Sequence, residues 1–220
     1  MFTLAYDTTG AQCALILLND GQTVGRYVEA MDFGQAEVLI PQIRAVLEHA
    51  GLRFADLGLL AVCVGPGSFT GVRAGISAAR AFKMACPGVT VAGITAFEAY
   101  VRALEPQELA EINAVIIETK RDDYYFQLFD ENLNRLTDPA AGTYDNLKDL
   151  LRHHKVSLVG DGVERFLSRP SGLSLHAIKM LEALPVEQLA AAGLKHYRDK
   201  VIDYPKPLYL RAPDVAAPKV

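Results

Sequence analysis

The segment GPGSFTGVRAG, residues 65–75, carries the strongest local signal for the fold. It follows a continuous apolar run at 59–64 and opens a stretch of helical periodicity at about 71–85. A short, wholly apolar run is typical of a central strand that is buried on both faces. Glycines let the backbone turn sharply or approach a neighbour closely, and Ser68 and Thr70 belong to the residue types that cap helix N-termini. The segment therefore predicts a strand, a tight turn and a helix.

This glycine turn has two interpretations. Its backbone amides and the N-terminus of the following helix would suit an anion such as phosphate. The alternative is a tight turn that only brings the helix against the sheet. The segment lacks the Gly-Lys-Ser/Thr end of a P-loop and does not match GxGxxG. The residues alone leave both interpretations open.

The flanking elements predict a mixed α/β sheet. Three β-prone runs open the chain, and Asn-Asp-Gly at 19–21 has the composition of a hairpin turn between the second and the third. The expected order up to residue 104 is strands at 2–6, 13–18 and 23–28, helix 36–50, strand 59–64, helix 71–85, strand 89–93 and helix 96–104. This order is that of the ribonuclease-H-like lobe shared by actin, sugar kinases and Hsp70, so we expect an actin-like fold.

A weaker pattern follows Glu105-Pro106, and it predicts a second, smaller lobe. The expected elements are strands at 114–117, 124–129 and 156–159 and helices at 147–153 and 186–197. Prolines at 205, 207, 213 and 218 predict an extended tail. We therefore expect a first lobe over 1–104 and a second lobe with the tail over 105–220.

Composition narrows the classes of function. Lys and Arg total 22 against 26 Asp and Glu, a net charge of −4, so this chain gains little from counterion release on nucleic acid. No apolar run approaches the length that spans a bilayer, and the start lacks the basic region of a signal peptide. The cysteines at 13, 63 and 86 are expected to be buried and reduced, as in a cytoplasmic protein. The five histidines are scattered without metal-ligand spacing, so no catalytic or metal residue is predicted.

Two further features bear on function. Asp7, Thr8 and Thr9 follow the first strand, where an Asp could hold Mg²⁺ through water and the hydroxyls could contact phosphate; a polar turn that ends the strand is the alternative. The helix at 71–85 is apolar over more than the usual stripe of about 100°. The helix therefore has more than one packed face, and either this chain or a partner could cover the additional apolar surface.

Several motifs together resemble the TsaB (YeaZ) family. The segment at 65–75 resembles the hallmark loop of that family. LAYDTT at 4–9 resembles its Ile-Asp-Thr-Ser/Thr opening, AEVLIP at 36–41 its Glu-x-Leu-x-Pro helix start, and PLYLR at 207–211 its C-terminal Pro-x-Tyr-Leu-Arg. The sequence departs from the pattern at Gln35 and at 118–120, where Glu-Thr-Lys replaces Asp-Ala-Arg. The resemblance covers nearly the whole chain.

The resemblance implies a two-lobed, actin-like (ASKHA) fold without catalysis of its own. It implies a partner subunit that activates a TsaD-like enzyme in forming N6-threonylcarbamoyladenosine at position 37 of tRNA. A TsaE-like ATPase would join the pair, ATP and metal would sit on the partner subunits, and tRNA would be contacted mainly through the partner. Without that partner, a homodimer through the same surface is expected.

The two regular helices at 36–50 and 71–85 are the expected seam with the partner. The residues predicted to line it are Glu37, Ile40, Arg44, Arg73, Ile76, Ser77, Ala78 and Phe82. The residues predicted for a vestigial nucleotide site are Asp7, Thr8, Thr9, Gly67 and Ser68. A small phosphotransferase or ATPase built on the latter set is the main alternative function, and a metalloprotease is disfavoured because metal-ligand spacing is missing.

Overall fold

The computed structural model describes residues 1–211, and its framework is two five-stranded sheets. The prolines at 213 and 218 of the predicted tail lie outside the described residues. The first sheet has the order β3-β2-β1-β4-β5. Its strands are β1 (Phe2–Asp7), β2 (Gln12–Asn19), β3 (Gln22–Ala30), β4 (Leu57–Cys63) and β5 (Thr90–Ile94). The three strands of the opening meander are thus confirmed, as are β4 and β5.

The meander forms because the turn chemistry and the apolar pattern agree. Asp20 and Gly21 both have positive φ, 48° and 84°, which is the conformation that a two-residue hairpin needs. The antiparallel register pairs Phe2 with Asn19 and Asp7 with Ala14. The strand β4 lies parallel to β1 on its other side. The centre of the sheet is therefore β1, whose carboxyl end carries Asp7.

Helices cover both faces of the first sheet. One face packs on α1 (Gln35–His49) and α2 (Phe69–Ala85) through a continuous apolar cluster. The other face packs on α3 (Ala96–Val101) and on α6 (Val186–Asp199). The division expected at residue 104 separates the two sheets, but α6 belongs to the later part of the chain and returns to the first sheet.

The second sheet has the order β10-β9-β6-β7-β8. Its strands are β6 (Ile112–Glu118), β7 (Asp123–Phe129), β8 (Ala140–Thr143), β9 (Lys155–Gly160) and β10 (Ser174–Met180). Its outer face packs on α4 (Tyr144–Leu151) and α5 (Val163–Leu167). Its inner face packs on α3, which therefore lies between the two sheets and contacts both.

Three elements of the second lobe were not predicted, namely β8, α5 and β10. The strand β8 has the sequence AAGT, which carries little β propensity, and α5 has only five residues. The strand β10, SLHAIKM, lies at the edge of the sheet and is largely exposed. Edge strands and single helical turns take their structure from their neighbours more than from an apolar pattern of their own.

Candidate functional site: the helical surface and the inter-lobe cleft

The glycine turn packs α2 directly on the loop that follows β1. A Cβ added to Gly71 would lie 1.8 Å from the carbonyl oxygen of Thr8, and one added to Gly67 would lie 2.4 Å from the carbonyl oxygen of Thr9. No side chain fits at such distances. Gly65 has a φ of 101°, which other residues rarely adopt. The glycines of the motif therefore serve close approach between the helix and the loop.

The polar groups of this loop bond to one another. The Thr8 hydroxyl donates to the carbonyl of Gly71 at 2.7 Å, and the Thr9 hydroxyl donates to Oδ1 of Asp7 at 2.7 Å. The Ser68 amide donates to the carbonyl of Thr9 at 2.7 Å, and the Ser68 hydroxyl accepts from the amide of Gly71. The five residues predicted for a nucleotide site do come together. The hydroxyls of Thr8 and Thr9 and the amides of Thr9 and Ser68 are already used as donors, so a phosphate group bound by these atoms would have to displace bonds within the loop.

Asp7 is buried at the floor of this loop. Its Oδ1 accepts from the amide and the hydroxyl of Thr9, and its Oδ2 has no partner. Burial raises the pKa of this carboxyl, and the bonds from Thr9 only partly oppose that effect. Within residues 1–211, no group of three His, Cys, Asp or Glu side chains is arranged to hold a metal ion. The bonds from Thr9 thus make Asp7 part of the loop's own structure and leave its Oδ2 without a hydrogen-bond partner.

A cleft of about 840 Å³ separates the lobes in front of this loop. The second lobe contributes the β6–β7 turn at 118–121 and Asp161, and the C-terminal segment contributes 208–211. Oδ1 of Asp161 accepts from the amide of Glu118 at 2.9 Å. Burial raises the pKa of Asp161 to about 6. The C-terminal segment therefore forms part of the wall of the cleft.

Ion pairs at the cleft and beneath it connect the first lobe with the later part of the chain. Lys120 of the second lobe lies 3.7 Å from Asp32 of the first. Deeper inside, Glu98 of α3 accepts from Nε2 of His196 at 2.9 Å and lies 3.1 Å from the guanidinium of Arg135. Burial acts to raise the pKa of Glu98, but the bonds from His196 and from the Thr95 amide, with the charge of Arg135, lower it to about 2. Glu98 is therefore ionised and fixes α3, α6 and the second lobe to one another.

The solvent-facing sides of α1 and α2 form a second candidate site. Because both helices pack on the same face of the first sheet and contact each other, their exposed sides form one surface. We call the exposed residues of the predicted set on this surface the outer helical face, and they are Glu37, Ile40, Arg44, Arg73 and Ser77. Ile40 is 46% exposed, and on the same helices Met84 is 82% exposed. The face combines cations with exposed apolar side chains.

The other three residues predicted for the seam are not free surface residues. Ile76 is only 3% exposed and belongs to the core between α2 and the first sheet, so its prediction as a contact residue is wrong for this structure. Ala78 and Phe82 are half-buried against the same core, and Phe82 stacks on Phe54 with ring centroids 4.0 Å apart. Most of the surplus apolar surface of α2 is thus covered by α1 and by the turn at Phe54–Asp56. A partner can reach only the remainder.

Three aromatic side chains near the cleft were missed in the sequence. Phe33, just before α1, is 90% exposed, and Phe69 and Tyr209 are partly exposed beside each other. The sequence signal for Phe33 was an aromatic residue in the turn Asp-Phe-Gly before a helix. The signal for Tyr209 was its place in the PLYLR motif, which the sequence does not position in space.

Comparison with solved structures gives the class of protein. YeaZ from Pseudomonas aeruginosa superposes with a TM-score of 0.80 at 21% identity, covering 95% of this chain and 99% of that one. The ROK hexokinase from Thermus thermophilus superposes with a TM-score of 0.52 at 13% identity, covering 91% of this chain and 99% of that one. The two lobes, the cleft and the β1 loop are therefore those of an actin-like ASKHA fold.

The sequence places the chain within a family of that class. Residues 34–213 match the family model described as TsaD: tRNA N6-adenosine threonylcarbamoyltransferase, so the chain belongs to this family. A full-length relative is the tRNA threonylcarbamoyladenosine biosynthesis protein TsaB of Escherichia coli, which is 26% identical over 226 residues, 96% of this chain and 95% of that protein. The resemblance to TsaB (YeaZ) is thereby confirmed. Among the residues described, no helix has the length and apolar character needed to cross a membrane.

Proposed function

We propose that this chain is a non-catalytic subunit that binds and activates a TsaD-like enzyme, so that N6-threonylcarbamoyladenosine forms at position 37 of tRNA. The similarity to E. coli TsaB over almost the full length of both chains supports a role in that pathway. Under this proposal the chain works in the cytoplasm, and tRNA is contacted mainly through the partner.

The observation that carries the partner-binding part of the proposal is the outer helical face. Ile40 is exposed between the charged side chains of Glu37 and Arg44, one helical turn away on either side. Exposed apolar residues ringed by charges are typical of a surface that docks a protein. A stable pair requires about 1,000 Å² of buried surface or more, which two adjacent helices of 15 and 17 residues can supply. In the absence of the enzyme, the same face would form a homodimer.

The closed glycine turn supports the non-catalytic part of the proposal. The hydroxyls of Thr8 and Thr9 and the amide of Ser68 donate to oxygen atoms of the loop itself and of α2. A phosphate would have to displace these bonds, and each buried group left unpaired costs about 1–3 kcal/mol. ATP and metal then belong to the TsaD-like subunit and to a TsaE-like ATPase that joins the pair.

Reconstitution tests this function. The TsaD-like subunit and its supporting enzymes, supplied with tRNA, threonine, bicarbonate and ATP, should modify tRNA rapidly only when this chain is present. The Asp7→Ala variant, if folded, should stimulate modification as well as the natural chain does. Equal modification with and without the chain would contradict the proposal.

The alternative function, a small ATPase, has its own measurement. Titration calorimetry of the isolated chain with Mg-ATP should show no binding at micromolar concentrations if the turn is closed as described. Tight binding, with turnover that is lost in Asp7→Ala, would favour the ATPase instead.

A further inference from the structure

The C-terminal segment at 203–211 follows the first lobe in a fixed path. The carbonyl of Asp203 accepts from the amide of Gly93 at 2.7 Å, and the carbonyl of Pro205 accepts from the guanidinium of Arg80 at 2.8 Å. The amide of Leu208 donates to the carbonyl of Val64, just after β4, at 2.8 Å. This part of the chain has no regular secondary structure, but its backbone is attached to β5, α2 and the end of β4.

Beyond Tyr209 the segment is attached to the second lobe. The guanidinium of Arg211 pairs with the carboxylate of Asp123 at the start of β7. It also lies 5.6 Å from the ring centroid of Tyr125. Tyr209 is therefore held between two anchors, Leu208 on the first lobe and Arg211 on the second.

At this position Tyr209 meets Arg73 of the outer helical face. The Nε of Arg73 donates to the Tyr209 hydroxyl at 3.1 Å, and the Arg73 guanidinium lies 3.8 Å from the ring centroid of Phe69. The rings of Phe69 and Tyr209 pack with centroids 5.2 Å apart. Arg73 has no carboxylate partner within the part of the chain that the structure describes.

We propose that Tyr209 is a positioning residue for the partner interface: with Phe69 it holds the Arg73 guanidinium so that its two terminal nitrogens receive a carboxylate of the partner. This inference rests on the proposed function and adds the C-terminal PLYLR motif to it. A guanidinium fixed by its Nε and by a stacked ring presents its terminal N–H groups in the fork geometry that matches a carboxylate. Fixing the side chain beforehand removes part of the entropy lost on binding.

Calorimetric affinities for the TsaD-like subunit of the same organism test this role. Tyr209→Phe keeps the ring on Phe69 and removes the acceptor for Nε, so we expect affinity to fall about tenfold, the lower end of the effect of one hydrogen bond to a charged group. Arg73→Lys keeps the charge but loses the fork, and we expect a loss at least as large. In the double variant, the loss should equal that of Arg73→Lys alone because Tyr209 acts through Arg73.

Tyr204→Phe is the matched control, because Tyr204 lies in the same segment with its ring 5.6 Å from the Arg80 guanidinium and no hydroxyl bond to an arginine of α2. Its affinity and the thermal midpoints of all variants should stay near those of the natural chain. An affinity of Tyr209→Phe within twofold of natural, or losses that multiply in the double variant, would overturn the inference while leaving the proposed function standing. No binding by the natural chain would overturn both.

Discussion

Replacing Gly71 by Ala tests whether close contact between α2 and the β1 loop shapes the site. The added methyl carbon would lie 1.8 Å from the Thr8 carbonyl oxygen and 2.9 Å from its carbon. The helix and the loop must therefore separate by more than 1 Å. Both opposing atoms belong to the backbone, so a rotamer change cannot relieve the contact.

Two opposing effects determine how much Gly71→Ala changes the free energy of unfolding. Overpacking of this kind costs up to about 3 kcal/mol, and Ala in place of Gly in a helix returns about 1 kcal/mol. We expect Gly71→Ala to lower the free energy of unfolding by about 2 kcal/mol. The separation should also lengthen the bond from the Thr8 hydroxyl to the carbonyl of Gly71.

Urea unfolding at pH 7 gives this free energy. The matched control is Gly88→Ala, because a Cβ at Gly88 meets nothing within 4 Å and its φ is not in the left-handed region. The control should stay within about 0.5 kcal/mol of the natural chain. A Gly71→Ala variant as stable as the natural chain, or more stable, would refute the close-contact explanation of the motif.

Two further predictions concern buried carboxyls. Glu98→Gln should be less stable than the natural chain by up to about 3 kcal/mol at pH 7, because the folded-state pKa of Glu98, about 2, lies below its usual value of 4.5. Urea unfolding should show this difference in stability shrinking as the pH falls from 4.5 to 2. A difference that does not change over that range would contradict the ion-pair network. For Asp161, the folded-state pKa of about 6 lies above the usual 3.8, so the natural chain should lose up to about 3 kcal/mol between pH 4 and pH 6. Asp161→Asn should lack that slope in the same unfolding series, and an unchanged slope would refute the assignment.

The first sheet was predictable because its signals are local. The hairpin at 19–21 needs residues that tolerate positive φ, and Asp20 and Gly21 are such residues. The apolar runs of β2 and β4 are fully buried, and the period of the helices matches their packed stripes. Each of these elements would be assigned from its own residues without knowledge of the others.

The errors came from contacts between distant parts of the chain. Ile76 was expected to face a partner and is buried instead, because the period of a helix does not show whether its own chain or another protein covers a second apolar stripe. Phe54, from the turn between α1 and β4, covers Phe82. The return of α6 to the first sheet also depends on a long-range contact, in which Gly193 comes so close to Ala61 that a Cβ would lie 2.6 Å from the methyl of Ala61.

The candidate site was also predictable only where its signals are local. The β1 loop and the glycine turn were correctly brought together, since both follow neighbouring parallel strands at the same edge of the sheet. The internal use of their donors could not be predicted, because it depends on the distance between α2 and Thr8. The contact of Tyr209 with Arg73 joins residues 136 positions apart, and no pattern in the sequence marks it.

The most direct test of the central claim is the affinity of two single variants for the TsaD-like subunit. Ile40→Asp changes the outer helical face, and Leu150→Asp changes a residue of α4 that is equally exposed, at 46%, on the second lobe. A charge buried without a partner in an interface costs 2 kcal/mol or more, about 30-fold in affinity. The account predicts that calorimetry will show this loss for Ile40→Asp and an unchanged affinity for Leu150→Asp. Equal affinities for Ile40→Asp and the natural chain, or a loss confined to Leu150→Asp, would contradict it.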